Sequence, residues 1–174
     1  MRIDAIDLSF APDANLAWGD ALNEFWRSGK PDTPEARRAF LQQKATPHIK
    51  AALNAEILPA FRGSDPARLR IVVRSISVAP VVLRLLVGGD YAIRGDIAVV
   101  DGKTGKVIVE APEFSGLTQG GAGPVQVLVE QMFPDPIDRV SRQFAGSVKD
   151  WLQTGEAFAS GRTRWVAPFT STPQ

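Results

Sequence analysis

From residue 91 the chain alternates, with Tyr91, Ile93, Ile97 and Val99 on one side and Arg94, Asp96 and Ala98 on the other. This is the period of a half-buried strand. It predicts a strand over 91–100, a turn over 101–105 and a return strand over 106–109, where Val107 and Val109 resume the alternation. Asp101 suits such a turn because its carboxylate bonds the local backbone, and Gly105 because it takes the positive φ that closes the loop. Upstream, after a linker at Gly63-Ser64-Asp65-Pro66, residues 69–78 set Leu69, Ile71, Val73 and Ser75 against Arg70, Val72, Arg74 and Ile76. Pro80 stops that ladder or marks an edge, and Gly88-Gly89-Asp90 turns into the hairpin. Ile3, Ala5 and Asp7 oppose Asp4, Ile6 and Leu8, so both faces of a first strand carry apolar weight, as in a partly central strand.

Between these strands the period changes. Trp18, Leu22, Phe25 and Trp26 recur at spacings of three and four within 13–27, which predicts a short amphipathic helix ended by Ser28-Gly29-Lys30-Pro31. Thr33-Pro34-Glu35 is a helix start, with Thr33 as cap and Pro34 at the first position, where no N–H is missed. Leu41, Ala45, Ile49, Leu53, Ile57 and Phe61 then recur every fourth residue, one long helix. Pro47 either kinks it or lets Thr46 cap a second helix. Pro124 opens a helix over 125–133. Asp135-Pro136 restarts one in which Ile137, Val140, Phe144, Val148 and Trp151 form an apolar stripe, ended by Gly155. The expected fold is α+β, a largely antiparallel twisted sheet with two long helices packed on one face. Residues 1–155 form the domain, and 156–174 an extended tail around Trp165 and Phe169.

Composition narrows the class without naming a task. The 174 residues are 44% hydrophobic and 22% charged, ordinary for a domain that buries a full core. Twenty basic against nineteen acidic residues leave a net charge of +1, so no global field draws the chain to nucleic acid or an anionic membrane. The absence of Cys excludes disulfides, thiolate metal sites and cysteine nucleophiles. Residues 1–7 alternate as a strand rather than as the apolar core of a signal peptide, so either the chain is cytoplasmic or a leader has been removed. The longest apolar run, 78–87, is interrupted by Arg84 and falls short of the roughly 20 residues that span a bilayer.

Candidate chemistry is sparse. Gly102-Lys103-Thr104 imitates the end of a phosphate-binding loop, but Ile97 stands where that pattern needs Gly, and the lysine lies between strands instead of opening a helix. His48, the single histidine, follows Pro47 within a helix and no nucleophile elbow accompanies it. Asp135 and Asp138 make a thin carboxylate pair that fits a helix N-terminus better than a metal. Arg162, Arg164 and Trp165 read as a solvated end rather than a nucleic-acid grip. No catalytic residue, metal or cofactor is expected. Two surfaces are candidates for a protein partner: the aromatic element Trp18, Phe25 and Trp26, and the apolar segment Val81, Val82, Leu83, Leu85 and Leu86. For both, internal core is the first reading and a partner surface the second. Gly120, Gly121 and Gly123, ahead of Pro124, read as a connector or as one wall of a cleft for a lipid or an anion.

The run Val87-Gly88-Gly89-Asp90-Tyr91, the turn Val100-Asp101-Gly102-Lys103-Thr104-Gly105-Lys106-Val107, the glycine-rich stretch and the closing amphipathic helix resemble a family of small uncharacterised lipoproteins of alphaproteobacterial envelopes. Trp18-Gly19 and the helix from Pro34 fit the same layout. More distantly, the order of elements is similar to the α/β domain of envelope auxiliary lipoproteins and to the amino-terminal domain of Tol-Pal-type periplasmic proteins. The resemblance implies a periplasmic location, outer-membrane attachment through a lipid on a Cys that this chain lacks, an envelope protein partner and no enzymatic activity. The leading expectation is therefore a non-enzymatic binding or assembly module of the envelope, with a small-ligand binder as the alternative. Oligomeric state stays open.

Overall fold

The computed structural model describes residues 1–80, 90–119, 135–154 and 164–165. Strand β1 (Arg2–Trp18) leads into helices α1 (Gly19–Arg27) and α2 (Pro34–Ile57). Strands β2 (Pro66–Val78), β3 (Asp90–Asp101) and β4 (Val107–Gln119), helix α3 (Pro136–Thr154) and a two-residue β5 (Arg164–Trp165) follow. The strands lie in the sheet in chain order. The pairs β2–β3, β3–β4 and β4–β5 are antiparallel, whereas β1 and β2 are parallel. The expected largely antiparallel sheet is thus a mixed one. The cause is the α1–α2 crossover, which returns the chain to the end of the sheet where β1 began.

The hairpin forms as its sequence predicts. Asp101 Oδ1 accepts from Lys103 N at 2.9 Å, Thr104 N at 2.7 Å and Thr104 Oγ1 at 3.0 Å, and Gly105 closes the loop at φ 71°. Lys103 therefore sits in a turn between two strands, and the phosphate-loop imitation ends there. Helix α2 runs unbroken through Pro47. Thr33 caps it by accepting from Ala36 N at 3.1 Å, while Thr46 bonds back to Gln42 O at 2.7 Å instead of starting a second helix.

The largest departure is β1, which is strand throughout 13–18, where helical spacing was expected. Asn15 to Trp18 pair in register with Ser75 to Val78, and the ladder gained there outweighs a local amphipathic pattern. Helix α1 keeps only residues 19–27.

Both long helices cover one face of the sheet, α2 against β1 and α3 against β3 and β4, and they pack on each other. Leu69, Ile71 and Val73 of β2, Ile97 and Val99 of β3, and Ala111 and Phe114 of β4 meet Leu41, Ala45, Ile49 and Leu53 of α2 and Val140, Phe144, Val148 and Trp151 of α3. Phe114 touches Phe144 edge-on at 5.9 Å and Trp151 at 6.0 Å. At Gly116 the backbone of α3 comes so near that a Cβ would lie 2.8 Å from Phe144 Cα.

Candidate functional site

Because the pleat sends alternate side chains to opposite faces, the strands that build this core also line a second face, where charged side chains stand among a few half-buried apolar ones. In register across the sheet, one row of that face runs Asp7, Arg70, Ala98, Glu110, and the next runs Ser9, Val72, Asp96. Arg70 and Arg74 of β2 form one wall of a shallow groove of about 610 Å³, and Glu110, Pro112 and Glu113 of β4 form the other. Val72 and Ala98 lie in its floor, where the small Ala98 leaves room between the walls.

One carboxylate organises this groove. Asp96 Oδ2 accepts from Arg74 Nε at 2.7 Å, and Oδ1 accepts from the backbone N–H of Glu113 at 3.0 Å. Opposite Asp96 the β4 strand carries two residues, Pro112 and Glu113, between the paired positions Ala111 and Phe114. This is a bulge, and it puts Glu113 at φ 54°. Among the described residues Glu113 is the one non-glycine residue with a positive φ. The hydrogen bond to Asp96, and then its charge, hold the Arg74 guanidinium above its ordinary pKa, which fixes it as a cation. Arg68 reaches Asp7 at 4.0 Å, whereas Arg70 has no ion-pair partner among the described residues.

The structure divides the expected aromatic surface. Trp18 is 3% exposed at the end of β1, edge-on to His48 at 6.2 Å and under Lys44, and Phe25 is fully buried against Phe40. Trp26, at 53%, is the large apolar side chain left outside among the described residues. Phe25 is buried because the inner side of α1 faces α2, and Trp26, its neighbour in sequence, lies about 100° further round the helix. Leu83, Leu85 and Leu86, with Val81 and Val82, lie outside the described residues, as do Gly120, Gly121, Gly123 and Arg162. Only the backbone of Arg164 and Trp165 is described, and it pairs with Glu110 and Val109.

His48 Nδ1 lies 2.6 Å from Asp138 Oδ1, a contact that joins α2 to the start of α3. Among the described residues no hydroxyl bonds this imidazole, and no group of three or more His, Asp or Glu is arranged to hold a metal. Asp135 Oδ1 accepts from Ile137 N at 3.2 Å, the helix-terminal role expected of it.

The Asp96 cluster was only half visible in the sequence. Alternation puts Arg70, Arg74 and Asp96 on wet faces, but nothing local shows that Val72 registers against Asp96 or that β4 bulges at Glu113.

No known family's sequence profile matches the chain, and no curated protein matches it. Among solved structures it is similar to an uncharacterised protein at 13% identity and a TM-score of 0.42, over 85% of this chain and 89% of that one. It is similar to PelC of Paraburkholderia phytofirmans, crystallised as a dodecamer, at 13% identity and 0.38, over 85% and 87%. A candidate lipoprotein of Caulobacter crescentus gives 16% and 0.32, over 64% and 85%. These are distant likenesses of layout, and no role for this chain follows from them.

Proposed function

We propose that the chain is a non-enzymatic binding module of the bacterial envelope that takes a protein partner on the open face of its sheet. The observation that carries the open-face part is Glu113. A non-glycine residue in the left-handed region costs about 1–2 kcal/mol, which Gly at this position would avoid. Here the strain is retained at the rim of a groove, and Asp96 holds it in place while also fixing Arg74. A rim held rigid in this way is preorganised, so little ordering cost falls on binding. The two walls carry opposite charge, Arg70 and Arg74 against Glu110 and Glu113, which favours a polypeptide surface presenting both signs over a simple anion. The envelope part rests on the sequence resemblance at 87–91 and 100–107.

Two measurements test the parts separately. A photo-crosslinking amino acid at Ala98, in the groove floor, should capture a protein in the source cells, and the adduct should disappear with Arg70→Glu. Capture from Trp26 alone, with none from Ala98, would move the surface to α1 and overturn the open-face reading. Intact mass spectrometry of the native protein from the envelope fraction should find an acylated Cys ahead of residue 1. A soluble cytoplasmic chain starting at Met1 would remove the envelope.

A further inference from the structure

Strand β1 is one edge of the sheet, and among the described residues its strand partner is β2 alone. The first turn of chain after α2 covers the beginning of its outer side. Gly63 N donates to Met1 O at 3.0 Å and Ile3 N donates to Phe61 O at 3.2 Å, so Ile3 directs its N–H outward. Ile3 registers against Ala67; after a bulge at Asp4, Ile6, Leu8 and Phe10 register against Leu69, Ile71 and Val73 and so share the helix-covered face with Ile3. In a strand of given direction, the face a side chain takes fixes the side to which its N–H and C=O point. Ile6, Leu8 and Phe10 therefore also direct their backbone groups outward. The ladder then breaks between Phe10 and Asn15, where Arg38 of α2 bonds Pro12 O and Pro12 has no N–H to offer. What is left, among the described residues, is a short open edge with three outward residues, all three half-buried and apolar.

We infer that this edge pairs with a second copy of itself, antiparallel about Leu8. Leu8 then lies opposite Leu8 of the copy and Ile6 opposite Phe10, so apolar meets apolar on the helix side. On the other side Asp7 lies opposite Ser9. Neighbouring registers fail for physical reasons: centring on Asp7 sets that carboxylate against its copy, and centring on Ser9 sets Ile6 against Pro12, which has no donor. The contact is isologous and closes on itself, joining two sheets into one. It is short, so it belongs with small, transient interfaces of micromolar affinity. It uses the strand edge, not the open face, so either proposal can fail without the other.

The chain has no Cys, so Leu8→Cys places a single thiol on the two-fold axis. Hydrogen-bonded antiparallel partners bring Cα atoms about 5.5 Å apart, within the disulfide range. Mild oxidation should convert Leu8→Cys into a covalent dimer while Lys103→Cys, exposed in the β3–β4 turn, stays monomeric at the same concentration. In sedimentation equilibrium the unmodified protein should dimerise with concentration. Ser9→Asp, which opposes Asp7 twice per dimer, should raise the dissociation constant about tenfold, and Ser9→Lys should lower it by a similar factor. Circular dichroism melts verify that both variants fold. Equal cross-linking of the two Cys variants, a monomer at every concentration, or shifts of the same sign for Ser9→Asp and Ser9→Lys would each overturn the inference.

Discussion

Asp96 decides the local geometry of the open face, since its two oxygens hold the Arg74 guanidinium and the Glu113 N–H. Two substitutions separate the strain from the bond that holds it. Glu113→Gly keeps the bulge and relieves the left-handed backbone, so stability in urea should rise by about 0.5–1 kcal/mol, even as crosslinking from Ala98 weakens. Asp96→Ala should lower stability by about 1–2 kcal/mol, because the Glu113 N–H loses its acceptor and the exposed Arg74 pair adds little. A fall in stability with Glu113→Gly would mean that the strain is not there. At the hairpin tip, hydrogen bonds from the Thr104 and Lys103 backbone hold the Asp101 carboxyl below its ordinary pKa. The sign follows from a folded value depressed below the unfolded one: the stabilisation is complete above the unfolded value, about 3.9, and is lost as pH falls through the folded value. Asp101→Asn keeps an acceptor but not the titration, so its melting temperature should fall less steeply than that of the unmodified protein below about pH 4.

At the scale of elements, what could be read was local. The hairpin, the Thr33 cap and the apolar stripes of α2 and α3 all depend on residues within one or two turns of each other, and each forms at its expected place, although α2 stops at Ile57 short of Phe61 and β4 runs on past 109 to Gln119. Over 13–18 the helical spacing misleads, because the partners of β1 there, Ser75 to Val78, lie far along the chain and leave no trace in the spacing of Trp18, Leu22 and Phe25. The same limit hid the candidate site, for which alternation supplied the wet side chains but not their register. It also left the aromatic trio undivided, because an apolar stripe does not say which of its members the neighbouring helix covers. Two glycines, Gly116 in β4 pressed against α3 and Gly146 in α3 facing open space, test this packing. Gly116→Ala, with its Cβ forced onto Phe144, should cost about 1–3 kcal/mol. Gly146→Ala within α3, where a Cβ meets nothing within 4 Å, should instead gain about 0.5–1 kcal/mol from helix propensity. Equal effects at the two positions would show that α3 does not lie on β4 as closely as described.

Over the whole molecule, the parallel β1–β2 pairing decides how the parts depend on each other. It forces α1 and α2 to cross the sheet between the two strands, which sets α2 over β1 and leaves the other half of the same face for α3. Neither helix closes the core alone, because α2 packs on α3 as well as on the sheet, and β2 and β3 lie between the two halves. The β1–α2 half and the α3–β4 half should therefore unfold in one transition. The four Trp residues allow each half to be watched alone. Trp18 reports on β1 and α2 through its contacts with His48 and Lys44, and Trp151 reports on α3 and β4 through Phe114. In two variants that keep only Trp18 or only Trp151, with Phe at the other three Trp positions, the urea midpoint by fluorescence should coincide with that by far-ultraviolet circular dichroism. A Trp18 signal lost before the helical signal would mean that β1 and α2 detach first. The shared core would then not bind the two halves into a single unit.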